Sequence, residues 1–181
     1  MKKILIIAII MFSFLNNTNA SYDQLAHEFS FKSIDGGNIN LQNYKDNVII
    51  VVNVASRCGF TNQYEDLQNL WSKYKDKNLV VVGVPTNNFK QEPGSNKDIK
   101  DFCETNFNIN FPMTEKMDVV GGNAHPFFKW ASENHGRSAI PKWNFHKIII
   151  GKDGKVADTF LSTTKPSSKK FISLIEEEIK N

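Results

Sequence analysis

The sequence predicts an α/β domain in which a central mixed sheet is flanked by helices and preceded by an N-terminal β-hairpin. Three observations carry this. Two apolar runs, Val48–Val54 and Leu79–Val84, are near-continuous rather than alternating, as in strands covered on both faces. Between and after them, apolar residues recur at three- and four-residue spacing, the mark of helices with one buried stripe. Two glycine-bearing turns, Asp35-Gly36-Gly37 and Gly151-Lys152-Asp153-Gly154, each join a pair of short strand-like segments.

In chain order, Phe29-Ser30-Phe31 and Ile39-Asn40-Leu41 alternate on either side of the first turn and form the N-terminal hairpin. Val48–Val54, interrupted only by Asn53, is the first buried strand. Thr61 or Asn62 caps the following helix, with Glu65 three residues beyond Asn62 and a stripe of Tyr64, Leu67, Leu70, Trp71 and Tyr74. Leu79–Val84 is the second buried strand, ended by Pro85. Ser95, with Asp98 three residues on, opens a helix whose stripe is Ile99, Phe102, Cys103 and Phe107. Phe127–Asn134 is helical and closed by Gly136. Phe145–Ile150 and Val156–Leu161 form the second hairpin, and Phe171, Ile172, Ile175 and Ile179 place an amphipathic helix after Ser167. Strand, helix and strand, then helix, hairpin and helix, is the order of a thioredoxin-like α/β sandwich, its first two buried strands parallel through a right-handed crossover.

The 181-residue chain begins with Met1-Lys2-Lys3, the 12-residue apolar stretch Ile4–Leu15, and Asn16-Asn17-Thr18-Asn19-Ala20. A basic start, a short apolar core and small residues at Thr18 and Ala20 make residues 1–20 a signal peptide, cleaved before Ser21. The protein is then exported, periplasmic in a bacterium and otherwise secreted, with one domain over residues 21–181. The apolar stretch falls short of the roughly 20 residues that span a bilayer, so no stable membrane insertion follows cleavage; an uncleaved anchor is the alternative. Loss of Lys2 and Lys3 leaves 20 basic against 19 acidic residues, a net of +1 that argues against a nucleic-acid partner. His27, His125, His135 and His146 show no metal-ligand spacing with one another or with the two cysteines.

Cys58 stands where the first buried strand gives way to a helix. A helix N-terminus favours anions, and the thiolate is the reactive form of cysteine. Two polar segments stand beside it in the expected fold. Asn87-Asn88-Phe89-Lys90-Gln91-Glu92-Pro93-Gly94 follows the second strand, and ligands of parallel α/β sheets gather at the carboxyl ends of strands. Pro141-Lys142-Trp143-Asn144-Phe145 leads into the second hairpin. The amides of Gln91 and Asn144 and the indole of Trp143 are neutral donors able to stabilise a thiolate or hold a peroxide. Against this stand the ordinary readings: loop capping for the donors, and for Cys58 and Cys103 an inert structural disulfide of an exported protein. Arg57 adjoins Cys58, but neighbours in an extended segment face opposite ways, which places Arg57 at the surface.

These segments resemble the glutathione peroxidase family. The matching blocks are Asn53-Val54-Ala55-Ser56-Arg57-Cys58-Gly59-Phe60-Thr61 with Gln63-Tyr64, then Gln91-Glu92-Pro93-Gly94-Ser95, then Phe111-Pro112-Met113, then Trp143-Asn144-Phe145-His146-Lys147. They occur in family order and cover the chain from about Phe29 to the last helix. The resemblance implies a thiol peroxidase with Cys58 at the catalytic position and Gln91, Trp143 and Asn144 as the rest of a catalytic tetrad. It implies that Cys103 is the resolving cysteine of a two-cysteine member. The substrate is hydrogen peroxide or an organic or lipid hydroperoxide. No cofactor is implied; the co-substrate is a thiol reductant, a thioredoxin-like protein or glutathione. A short segment between Met113 and Trp143, where tetrameric relatives carry an assembly loop, implies a monomer. The chain departs from the family at Thr86 and Asn88, and the Phe89-Lys90-Gln91 loop is one residue short, which makes Asn87 the reserve for Gln91.

The chemistry the resemblance implies is attack by the Cys58 thiolate on the terminal peroxide oxygen. Water or an alcohol leaves, and a sulfenic acid forms. Cys103 condenses with it to a disulfide, which an external dithiol reduces. A peroxide-sensing relay that passes its oxidation to a partner protein would use the same residues. Disulfide formation needs Cα atoms within roughly 7 Å. Cys103 in a regular helix would therefore have to be released by local opening, which predicts a mobile or only marginally helical segment there.

Overall fold

The computed structural model describes residues 22–181; the expected signal peptide, residues 1–20, lies outside them. Strands β1 (Ser30–Lys32) and β2 (Asn38–Asn40) pair antiparallel as the N-terminal hairpin. The central sheet contains β3 (Val48–Val54), β4 (Leu79–Pro85), β5 (Lys147–Ile150) and β6 (Val156–Phe160) in the order β4-β3-β5-β6. β3 runs parallel to β4 and antiparallel to β5, and β5 pairs antiparallel with β6, so the sheet is mixed. Helices α1 (Gln63–Tyr74), α2 (Asn96–Phe107), α3 (Pro126–His135) and α4 (Lys169–Lys180) cover it.

Every residue of β3 and β4 is buried, and the pleat divides them between two cores. Val48, Ile50, Val52 and Val54 face Tyr64 and Leu67 of α1, Ile99 and Cys103 of α2, and Phe171 and Ile175 of α4. Ile49 and Val51 face Phe127, Phe128 and Trp130 of α3 and Phe31 and Ile39 of the hairpin. Gly83 lets Phe111-Pro112-Met113 run along the outer edge of β4: its N–H donates to the Pro112 carbonyl, and a Cβ there would overlap the Met113 sulfur.

Three local expectations change. α1 has no side-chain N-cap: Asn62 is already helical, and the Thr61 hydroxyl donates instead to the Cys58 carbonyl. β5 begins at Lys147 rather than Phe145, because Phe145 takes a positive φ of 62° and donates its N–H to the Asn53 carbonyl. The segment around Cys103 is a regular helix capped at both ends. Ser95 and Asp98 close its start as a capping box, and Asn108 ends it in the left-handed conformation with its N–H returned to the Cys103 and Glu104 carbonyls.

Candidate active site

β3 ends at Val54, and the chain turns through Ala55–Thr61 before α1. Cys58 lies inside this turn, 8 % exposed, its Sγ 3.5 Å from the Phe60 amide, which donates to it. The turn is fixed by its own bonds. Both the Thr61 amide and hydroxyl donate to the Cys58 carbonyl. Arg57 is exposed, as its position beside Cys58 predicts.

The loop after β4 lies against this turn. The Arg57 amide donates to the Gln91 carbonyl at 3.1 Å, and the buried Glu92 carboxylate accepts from the Ser56 amide at 2.7 Å and the Ser56 hydroxyl at 2.8 Å. Burial pushes the Glu92 carboxyl above the usual carboxylate range, opposed by the Ser56 donors and by the Lys116 and Arg57 cations. Asn87 braces the same loop by accepting the Glu92 amide on its Oδ1, so it is a structural amide here. Asn88 ties the loop outward, donating to Asp118 and accepting from the Val119 amide.

The third wall is the approach to β5. Asn144 is fully buried, and its Nδ2 donates to Gln91 Oε1 at 2.9 Å. With its oxygen so occupied, Gln91 keeps its amide N–H groups as donors. Trp143 is 42 % exposed, stacks its ring at a tilt on Phe89 at 5.6 Å between centroids, and accepts from Asn53 Nδ2 on its backbone carbonyl. Gln91 and Asn144 are thus in direct contact, Gln91 is hydrogen-bonded to the residue beside Cys58, and Trp143 is tied to the end of β3.

Cys103 lies in α2, within the same apolar cluster as Cys58, and both thiols are free. Burial pushes the Cys103 thiol up to about 11, with the Glu92 and Glu104 carboxylates adding to it and the Tyr64 hydroxyl opposing. Tyr64 is fully buried against Cys103, edge-on to Phe145 at 5.2 Å. At the start of α1, buried Lys147 donates to Gln63 Oε1 at 2.5 Å and the Thr164 carbonyl at 2.7 Å, and Gln63 donates to the Ser162 carbonyl. Neighbouring His146 is held neutral: burial and the Lys147 and Lys142 cations push it down to about 4.

Sequence reasoning gives Glu92 and Lys147 no role and Tyr64 only a place in the buried stripe of the first helix, although all three lie in the quoted blocks. The signal was a charged or hydroxyl-bearing residue inside an otherwise apolar or turn segment. Among the described residues, no group of three or more His, Cys, Asp or Glu could hold a metal ion, and no helix is long and apolar enough to cross a membrane.

The sequence profile described as glutathione peroxidase matches residues 26–132. A hydroperoxy fatty acid reductase of Synechocystis sp. is 40 % identical over 156 residues, spanning 81 % of this chain and 92 % of the relative. A glutathione peroxidase-like peroxiredoxin of Saccharomyces cerevisiae is 44 % identical over 140 residues, spanning 75 % of this chain and 85 % of the relative. Among solved structures, Trgpx in apo form superposes with a TM-score of 0.69 at 34 % identity, spanning 88 % of this chain and 97 % of that one.

Proposed function

This chain belongs to the glutathione peroxidase family and is a thiol peroxidase that reduces hydroperoxides, and from that premise we propose how its residues divide the work. Cys58 is the peroxide-attacking sulfur. The observation that carries this is the hydrogen-bonded pair of Gln91 and Asn144, which aligns amide donors at the end of β3 beside the Cys58 turn. The thiolate attacks the terminal oxygen, the S–O bond forms as the O–O bond breaks, and the leaving oxygen takes up the proton that the Cys58 thiol released on ionising. Gln91, Asn144 and the Trp143 indole donate to the charge that moves from sulfur to oxygen. No cofactor enters this cycle.

Cys103 then closes the cycle as the resolving thiol, and a dithiol donor reopens the disulfide. A thioredoxin-like protein suits this better than glutathione, because one dithiol returns both electrons by exchange at a single disulfide. The name of the Synechocystis relative supports fatty acid hydroperoxides as substrates here too, and the exposed Trp143–Phe89 pair offers apolar surface beside the site. The protein works as a monomer outside the cytoplasm.

Peroxide consumption by the mature protein, with thioredoxin or glutathione as donor, tests the assignment. Cys58→Ser abolishes turnover with either donor while the fold is kept, and Cys103→Ser loses the thioredoxin-driven rate alone. Full activity of Cys58→Ser would overturn the assignment.

A further inference from the structure

The Tyr64 hydroxyl is a buried polar group without a hydrogen bond of regular geometry. Such groups are rare and destabilising, and their persistence calls for a reason. Tyr64 opens α1, three residues after the Thr61 that closes the Cys58 turn, and its ring is locked edge-on to Phe145 and tilted against Phe107 of α2. Tyr64, Cys58 and Cys103 belong to one buried cluster, and the hydroxyl is within electrostatic reach of both sulfurs and of Glu92. One orphaned donor therefore stands among both sulfurs.

We propose that Tyr64 is a positioning residue for disulfide formation: its hydroxyl donates a hydrogen bond to the Cys103 sulfur as that thiol becomes a thiolate and attacks the oxidised Cys58. In this step the Cys103 thiolate attacks the Cys58 sulfur of the sulfenic acid. The S–S bond forms as the S–O bond breaks. The leaving hydroxide combines with the proton lost by Cys103 and departs as water. Cys103 is oxidised, the Cys58 sulfur is reduced, and no outside oxidant is needed. The resting thiol makes weak use of the hydroxyl, whereas the thiolate makes strong use of it, since hydrogen bonds to ionised acceptors are about twice as strong. The partner is thus absent in the resting state and appears in the reaction. Cys103 needs this help because burial and the facing Glu92 and Glu104 carboxylates oppose its ionisation.

The proposal rests on Cys103 being the resolving thiol. The test mixes reduced protein with one equivalent of hydrogen peroxide in a stopped flow and traps the sulfenic acid with a cyclic dione at timed intervals. In Tyr64→Phe the sulfenic acid forms at the wild-type rate and decays about tenfold more slowly, the value of one charged hydrogen bond. Its pH profile moves to higher pH. The thermal midpoint does not fall, because the variant deletes an atom that has no regular partner. Decay at the wild-type rate with an unmoved profile would overturn the proposal. So would a variant that fails to fold, since the hydroxyl would then be structural. Cys103→Ser, run alongside, separates the premise: its sulfenic acid persists if Cys103 resolves, and wild-type decay there would fail the resolving role itself.

Discussion

A sulfur that attacks a peroxide needs donors placed where charge arrives, and Gln91 and Asn144 are joined by one hydrogen bond before any substrate is present. The pair acts as a unit, so its losses should not add. Gln91→Ala and Asn144→Ala each lower the second-order rate of Cys58 oxidation by roughly 100-fold. The double variant falls by less than the product of the two. Stopped-flow oxidation by hydrogen peroxide reads all three. Glu92 holds the same loop from below and gives a pH signature. Burial raises its folded pKa, so the stability its protonated form contributes is present below the unfolded pKa and lost as pH rises through the folded one. Glu92→Gln keeps an oxygen to accept from Ser56 and removes the buried charge. Urea unfolding therefore shows the variant gaining on the wild type between pH 4 and pH 8; a gain at pH 4 that shrinks by pH 8 would contradict this sign.

If Cys103 is the resolving thiol proposed above, α2 holds it in the core at rest and lets it go during turnover, and the two ends of the helix differ in what they control. Ser95 and Asp98 cap the start, eight residues from Cys103, whereas the Asn108 cap closes the turn that carries it. Asn108 sits at a φ of 49°, where a side chain with a Cβ is strained and asparagine is better tolerated than most. Asn108→Ala lowers stability by about 1 kcal/mol, which raises the open population of that turn about fivefold. Disulfide formation accelerates by a similar factor in the same stopped-flow assay, and an unchanged or slower rate would show that α2 need not open. Sequence patterning located this helix and its cap because both are local: a serine, an aspartate three residues on, and a stripe at helical spacing. The expected marginal helix is a regular one instead, since Asn108 supplies a local left-handed cap and Cys103 is buried by tertiary packing with α1. The start of β5 was misplaced for the same reason, since Phe145 is drawn out of the strand by a bond to Asn53 from 92 residues away.

Over the whole molecule, the sheet and its helices were legible as apolar runs and stripes, and the candidates Cys58, Gln91, Trp143 and Asn144 were picked out by the blocks that carry the family resemblance. The supports beneath them were not, because they join distant segments: Ser56 to Glu92, Tyr64 to Cys103, and Lys147 to Gln63 and Thr164. The last of these binds β5, the start of α1 and the chain before α4 through one buried amine. Lys147 has no hydrogen-bonded carboxylate, and burial pushes it down to about 7, with Asp66 opposing only in part. Its folded pKa lies below its unfolded one, so the stability it contributes is present above the unfolded value and lost as pH falls through the folded value. The loss runs from about pH 10.5 to about pH 7 and levels off below that. Lys147→Met removes this titration along with the hydrogen bonds to Gln63 and Thr164. Between pH 10 and pH 6 the stability difference from wild type therefore shifts toward the variant by on the order of a few kcal/mol, whichever protein is the more stable at pH 10. His146 feels the Lys147 cation, and removing that cation moves the difference in the same direction as pH falls, because the variant then loses less stability there. Urea midpoints of the two proteins across this range read the shift, and a difference that stays flat with pH would mean that the Lys147 amine does not titrate as its burial requires.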